Sequence, residues 1–294
     1  MELRTLRYFL AVCHEENITK AARNLHIAQP SLSVQLMELE KELGTQLLIR
    51  GKRKVSLTAK GSLLAKRADE LLTLAEKTSR EISSSEQSIQ GDIYIGSGET
   101  EALNNILHTS SNLINDHPKI CYHLFHGDAE SITERLDQGL LDFGILMQPI
   151  DQTKYTSITV PIQSAWGLLL PIDHPLAASN MIQPKDLFEL PLIMPERIGL
   201  QKALSHWIKK DYHTLNIRAT YNLAYNASLL VKNGYGCALL LDNLIEADDD
   251  PYVCFRPFTL TIEINFNLVW KKYRQFSNAA ELFLTNLQEH FNHT

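Results

Sequence analysis

The chain is poor in cysteine. Its four, Cys13, Cys121, Cys237 and Cys254, are far apart. With no CxxC pair, neither a zinc finger nor a disulfide framework is indicated, and free thiols in a reducing compartment are the ordinary reading. No apolar run approaches the length that spans a bilayer. The opening MELRTLRYFL is amphipathic and has no signal-peptide h-region, which points to a cytoplasmic protein without a membrane partner. Catalytic signatures are absent as well: no GxSxG, no HExxH, no Walker loop, no nucleophile–base pair. Gly96-Ser97-Gly98 is a fragment of a dinucleotide fingerprint, and Asp248-Asp249-Asp250 before Pro251 reads as a solvated turn. Cys121, His123 and His126 are metal-ligand types but lie in an apolar, strand-like stretch. No catalytic residue, metal or cofactor is therefore expected, and the chain does not read as an enzyme.

Positive charge is short overall, with a net charge of −6. It is also unevenly placed. Residues 1–60 hold ten Lys/Arg and six Asp/Glu, or +4; the remainder holds eighteen and twenty-eight, or −10. A basic head on an acidic body confines phosphate attraction to the head.

What the head contains is ordered. Thr19 is an N-cap candidate for a short helix with small residues Ala21 and Ala22. Pro30 suits the first turn of a second helix, in which Leu32, Leu36, Leu39 and Leu43 form an apolar stripe until Gly44. The opposite face carries Ser31, Ser33, Gln35 and Glu38, and short polar groups at a helix start suit base-edge and phosphate contacts. Two β-prone runs, Leu47-Leu48-Ile49 and Val55-Ser56-Leu57, flank the loop Arg50-Gly51-Lys52-Arg53-Lys54, four of whose five residues are basic. This predicts a winged helix-turn-helix over residues 1–60, with a recognition helix for the major groove and a charged wing. Alone, such a loop is equally a solvated hairpin.

The same residues resemble a family. Ala21-Ala22, Gln29-Pro30-Ser31-Leu32-Ser33, Leu39-Glu40, Leu43-Gly44, Leu57-Thr58 and Lys60-Gly61 fall in the order and spacing of the LysR-type transcriptional regulators. The likeness runs through roughly the first ninety residues. Two departures are Leu48-Ile49, where the family usually has Phe, and Ala28, where Ser or Thr often caps. The resemblance implies double-stranded DNA as partner, with contacts from Thr19, Gln29, Pro30, Ser31, Ser33, Gln35, Arg50, Lys52, Arg53 and Lys54. RNA polymerase is a further partner if the chain is an activator.

Residues 58–88 predict one long helix. Leu64, Ala68, Leu71, Ala75, Thr78 and Ile82 follow heptad spacing, a narrow seam that wants a partner helix or its own domain. In the family this is the linker helix that pairs with its copy, which implies a homodimer or homotetramer. A polar stretch, Ser83 to Ser88, ends it.

From residue 89 the pattern alternates between short strands and helices, predicting α/β structure with mostly parallel strands. It recurs after residue 160, which gives two α/β lobes, as in the periplasmic-binding-protein-like effector domain of the family. The expected fold is thus an α+β two-part chain. Ligands in such folds sit at strand carboxyl ends and helix N-termini. Candidates for an effector of unknown identity are Ser97, Glu99, Thr100, Gly127 and Asp128, with Pro195, Glu196, Arg197, Ile198 and Asn226 from the second lobe. Helix geometry favours a carboxylate there, while Glu99, Asp128 and Glu196 favour a neutral or amine ligand. Two functions remain in view: an effector-controlled, sequence-specific transcriptional regulator, or a small-molecule-binding protein or enzyme whose head serves oligomerisation. The basic wing discriminates, since dimerisation alone does not need it.

Overall fold

Leu6, Phe9 and Val12 recur every third residue and are buried, which makes Leu3–Glu15 (α1) a helix with one core face. The structure is a computed structural model and describes residues 1–51, 54–83, 90–196, 200–247, 250–259 and 264–291. The chain divides into two compact units, Met1–Gln87 and Ser88–Thr294.

In the first unit α1 is followed by Ile18–Asn24 (α2) and Gln29–Glu42 (α3), then a hairpin of Leu48–Arg50 (β1) and Val55–Leu57 (β2), and the long helix Ala59–Ser83 (α4). Ala21 and Ala22 are buried with Phe9, Leu32, Leu36, Leu39 and Leu47 in one core, so the small alanines do let the helices cross closely. The N-cap of α2 is Asn17, whose side chain accepts from the Lys20 N–H at 3.0 Å. Thr19 therefore sits inside the first turn, exposed. Both residues are good caps by type, and only Asn17 has the extended backbone that a cap needs, with φ −153°. Thr58 opens α4 by accepting from the Gly61 N–H at 2.9 Å.

The heptad seam of α4 divides. Leu64 packs toward α1, and Ala68 is fully buried with Leu6 and Leu72. Ala68 therefore belongs to the core of its own unit, because the i, i+4 row 64–68–72 faces α1. Leu71, Leu74 and Ile82 stay exposed, Ile82 at 81%.

The second unit holds two five-stranded sheets. Gly91–Ser97 (β3) leads to helices Glu101–Thr109 (α5) and Ser111–Asp116 (α6), then Ile120–His126 (β4), Ala129–Asp137 (α7), Phe143–Met147 (β5) and Tyr155–Thr159 (β6). The chain next builds the second sheet from Trp166–Pro171 (β7), Leu192–Pro195 (β8), Leu200–Ile208 (α8), Ile217–Tyr221 (β9), Ala224–Lys232 (α9), Cys237–Leu241 (β10) and Val253–Pro257 (β11). It returns with Phe266–Lys271 (β12) and Asn278–Phe291 (α10). The orders are β4-β3-β5-β12-β6 and β11-β7-β10-β8-β9.

Both sheets are mixed rather than mostly parallel. β3 pairs in parallel with β4 and β5, and β8 with β9 and β10, whereas β12 runs antiparallel to β5 and β6, and β7 to β10 and β11. The chain crosses between sheets after β6 and again after β11, and a crossing strand brings an antiparallel neighbour with it. Helix α10 buries Ala279, Ala280, Phe283 and Leu287, and its Phe283 meets Phe143 at a ring distance of 5.2 Å. Each such aromatic contributes about 1.5–3 kcal/mol on burial.

Candidate nucleic-acid interface and interlobe residues

The recognition helix is polar at its exposed start, while Val34 and Met37 are exposed further along it. Gln29, Pro30 and Ser31 are exposed in its first turn, and Ser33 and Gln35 are half-buried. Pro30 lies in that turn, where its missing N–H costs nothing. Gln29 donates to Ser33 Oγ at 2.8 Å and Gln35 to Glu38 Oε2 at 3.1 Å, so two of the amides are held in place. Ser31 and Gln35 line a shallow recess of about 360 Å³ together with Ile27, Ala28, and Arg4 and Tyr8 of α1. Arg4 and Tyr8 were not legible as site residues, since only the crossing of α1 over the turn brings them beside α3.

One carboxylate joins helix to wing. Glu40 Oε1 accepts from the backbone N–H groups of Leu47 and Leu48, at 2.8 and 3.0 Å, and Oε2 lies 3.4 Å from the Arg50 guanidinium. The wing's first strand is thereby tied to the last turns of α3. At its far side Lys54 pairs with Glu16 at 2.7 Å, and the Val55 N–H donates to the Glu16 carbonyl. These exposed ion pairs contribute little and leave the cations available to phosphate. Lys52 and Arg53 lie outside the described residues. Gly61 explains its place in the motif: a Cβ there would stand 2.1 Å from the Leu47 carbonyl oxygen.

In the second unit the sequence-selected residues fall into three groups. Ser97 ends β3 and Glu99 and Thr100 follow it, while Gly127 and Asp128 follow β4; the Gly127 N–H donates to the Ser97 carbonyl at 3.2 Å, joining the ends of the two strands. Most of their side chains are committed locally. The buried Ser97 hydroxyl donates to the Gly98 carbonyl at 2.7 Å, and Thr100 caps α5 by accepting from the Ala102 N–H at 3.1 Å. Asp128 caps α7 by accepting from the Ser131 N–H at 2.8 Å, and hydrogen bonds from the Ser131 side chain and backbone hold its carboxyl below the usual carboxylate range. Gly96 is a packing residue: a Cβ would meet Leu141 Cδ1 at 2.5 Å, which accounts for it without a dinucleotide.

Glu99 does something else. Its carboxylate reaches the second lobe and accepts from the N–H of Ala224, at the start of α9. That helix has no cap from its own Leu223. Glu99 therefore supplies both the missing acceptor and the negative charge that a helix N-terminus favours. Asn226, another sequence candidate, is exposed in the same first turn. Pro195 and Glu196 form a third group at the end of β8, where Glu196 accepts from Thr220 Oγ1 at 2.7 Å. Arg197 and Ile198 lie outside the described residues. Asp250 accepts from Lys232 Nζ at 2.5 Å and from the Tyr252 N–H at 2.9 Å, the geometry of a turn.

Residues 3–62 match the family model described as bacterial regulatory helix-turn-helix protein, lysR family, and residues 86–292 match the LysR substrate binding domain. The chain belongs to the LysR family. It is a DNA-binding transcriptional regulator with an effector-binding domain. This LysR chain is 28% identical over 300 residues to the HTH-type transcriptional regulator BsdA of Bacillus subtilis (strain 168), covering 97% of the chain and 99% of that protein. Its fold is that of CbnR, a LysR family transcriptional regulator, with a TM-score of 0.81 at 20% identity over 99% of both chains. The structure of full-length CbnR with its target DNA gives a TM-score of 0.79 at 21% identity, over 100% of this chain and 99% of that one. Among the described residues no helix is long and apolar enough to cross a membrane.

Proposed function

We propose that this LysR regulator reads an operator with the first turns of α3, holds phosphate with its wing, and is switched by a small molecule bound where Glu99 meets α9. The tie from Glu40 to Leu47 and Leu48 carries the first part of this reading, because it fixes wing and recognition helix as one rigid reader. Gln29, Ser31 and Gln35 take base edges or nearby phosphates, with Thr19 and Pro30 at the backbone, while Arg50, Lys52, Arg53 and Lys54 supply sequence-independent attraction. Arg4 and Tyr8 add to the rim. CbnR, its structural neighbour, was captured on target DNA.

The protein acts as a homo-oligomer. Leu71, Leu74, Ala75 and Ile82 offer the seam of α4 that its own unit leaves uncovered, and pairing there would present two reading heads to two half-sites. A dimer of dimers extends the same scheme.

For the effector, the contact between Glu99 and Ala224 sets the chemistry. The carboxylate already holds the donor that an anionic ligand would use. An anionic effector must therefore displace Glu99, while an amine pairs with it. Either ligand acts by binding one arrangement of the lobes more tightly than the other. The test is selection of bound fragments from the host's genomic DNA by the full chain, followed by a thermal-shift screen with organic acids, aromatic acids, amino acids, amines and sugars. A ligand at about a hundred times its dissociation constant adds roughly 2.7 kcal/mol. Enrichment of no fragment would refute the operator reading, and a hit unaffected by Glu99→Gln would refute the placement of the effector.

A further inference from the structure

We propose that Asp92, Cys121 and His123 form a zinc site on one face of the first sheet, at the edge made by β4. The placement follows from register. β3 and β4 run parallel with Asp92 opposite Cys121 and Tyr94 opposite His123, and β4 is the outer strand of its sheet. Residues two apart on a strand share a face, so the carboxylate, the thiol and the imidazole all project to the same side. His126, three positions beyond His123, falls on the other side, and so the cluster of Cys121, His123 and His126 weighed from sequence does not assemble. Asp92, 31 residues before His123, takes the place of His126.

One ligand atom from each of the three residues lies within 4.8 Å of the others. Asp92 Oδ1 and His123 Nε2 are 3.0 Å apart. In a tetrahedral zinc site, with bonds of about 2.0–2.3 Å, neighbouring ligand atoms stand about 3.2–3.8 Å apart. Carboxylate and imidazole therefore already have nearly that spacing. Any closing-in falls to Cys121, which is exposed and can rotate about χ1 without repacking. The imidazole is also oriented: the Tyr94 ring stacks on it at 4.5 Å with planes 12° apart, and the Tyr94 hydroxyl approaches Asp92 Oδ2 at 3.4 Å. Such outer contacts fix the ring plane in metal sites.

The donor set chooses the ion. A thiolate is a poor ligand for magnesium or calcium, whereas sulfur, nitrogen and oxygen together suit zinc, with water in the fourth position. On binding, Cys121 loses its thiol proton to solvent, and His123 changes tautomer: the proton that Nε2 donates to Asp92 leaves to solvent, Nδ1 carries the ring proton instead, and the freed Nε2 lone pair goes to the metal. The site stands at the amino ends of β3 and β4, while the residues assigned to the effector follow their carboxyl ends, so the two are separate.

Cobalt(II) titration of the tag-free full chain tests the proposal. One equivalent should produce a thiolate-to-cobalt charge-transfer band and intense tetrahedral absorption, both erased by one equivalent of zinc. Cys121→Ser and Cys121→Ala should abolish the charge-transfer band, and Asp92→Asn and His123→Gln should each weaken binding at least about tenfold. Cys13→Ser should leave the spectrum unchanged. Circular dichroism confirms that each variant is folded. The proposal is overturned if the parent chain gives no band, if the band survives both substitutions of Cys121, or if Asp92→Asn and His123→Gln bind cobalt like the parent. In the last case the two residues are a hydrogen-bonded pair and nothing more.

Discussion

Glu40→Ala should loosen the wing without unfolding the head. The Glu40 side chain is 16% exposed, and its Oε1 takes two backbone N–H groups whose residues, Leu47 and Leu48, are 2% and 1% exposed. Water has little access to those amides once the acceptor is gone. A hydrogen bond to a charged acceptor is worth about 1.5–3 kcal/mol, and two share this one carboxylate. A loss of about 3 kcal/mol in local opening free energy is the expected outcome, which is roughly a hundredfold loss of amide protection. Hydrogen exchange on the full chain, followed by mass spectrometry of peptides covering the end of α3 and the hairpin, measures it directly. Glu40→Gln keeps an acceptor oxygen but not the charge, so its protection should fall between the other two. The reasoning fails if exchange in Leu47 and Leu48 is unchanged in Glu40→Ala, since the hairpin would then be held by its own ladder alone.

Three other expectations follow from single contacts. Gly61→Ala places a methyl 2.1 Å from the Leu47 carbonyl oxygen, so the head should lose about 1–3 kcal/mol, measured by urea denaturation; a neutral result would mean the start of α4 yields freely. Glu99→Gln removes a charge worth about 0.3–1 kcal/mol at the N-terminus of α9 and should strengthen any carboxylate ligand found by thermal shift, which no longer meets a built-in competitor. Asp128 has a folded-state pKa below its ordinary value, so its cap stabilises the fold above the usual carboxylate range and is lost as pH falls through the lowered value. The stability difference between the parent and Asp128→Ala should accordingly be about 0.5–1 kcal/mol near neutrality and vanish in acid; a pH-independent difference would contradict the capping role.

The head was legible because its signals are local. Pro30, the leucine stripe of α3 and the basic run after Ile49 each state their structure within a few residues. The cap of α2 was misplaced by two positions because Asn17 and Thr19 are equally good caps by type, and only backbone conformation separates them. The helix α4 was legible in extent but not in partition. Heptad spacing cannot tell a face that meets α1 from one that meets another molecule, and Ala68 went to the former. In the second unit β5, β7, β8 and β10 were visible as apolar runs, whereas β12, buried but interrupted by Asn267, was not. Tyr155–Thr159 and Ile217–Tyr221 were not either, since half their residues are polar or exposed. Without β6, β11 and β12, each antiparallel to a neighbour, the sheets looked parallel. Long-range contacts left no trace in the sequence. Neither the reach of Glu99 to Ala224, 125 residues on, nor the meeting of Asp92 with His123 follows from any spacing.

The division of labour between α3 and wing is tested most directly by the salt dependence of binding to a selected operator and to random duplex, for the parent, Gln29→Ala and Lys54→Ala. Gln29→Ala should cost about 1–3 kcal/mol on the operator and little on random DNA. Lys54→Ala should weaken both alike and reduce the salt slope by about one. Equal loss on both DNAs for Gln29→Ala, or an operator-only loss for Lys54→Ala, would contradict the account.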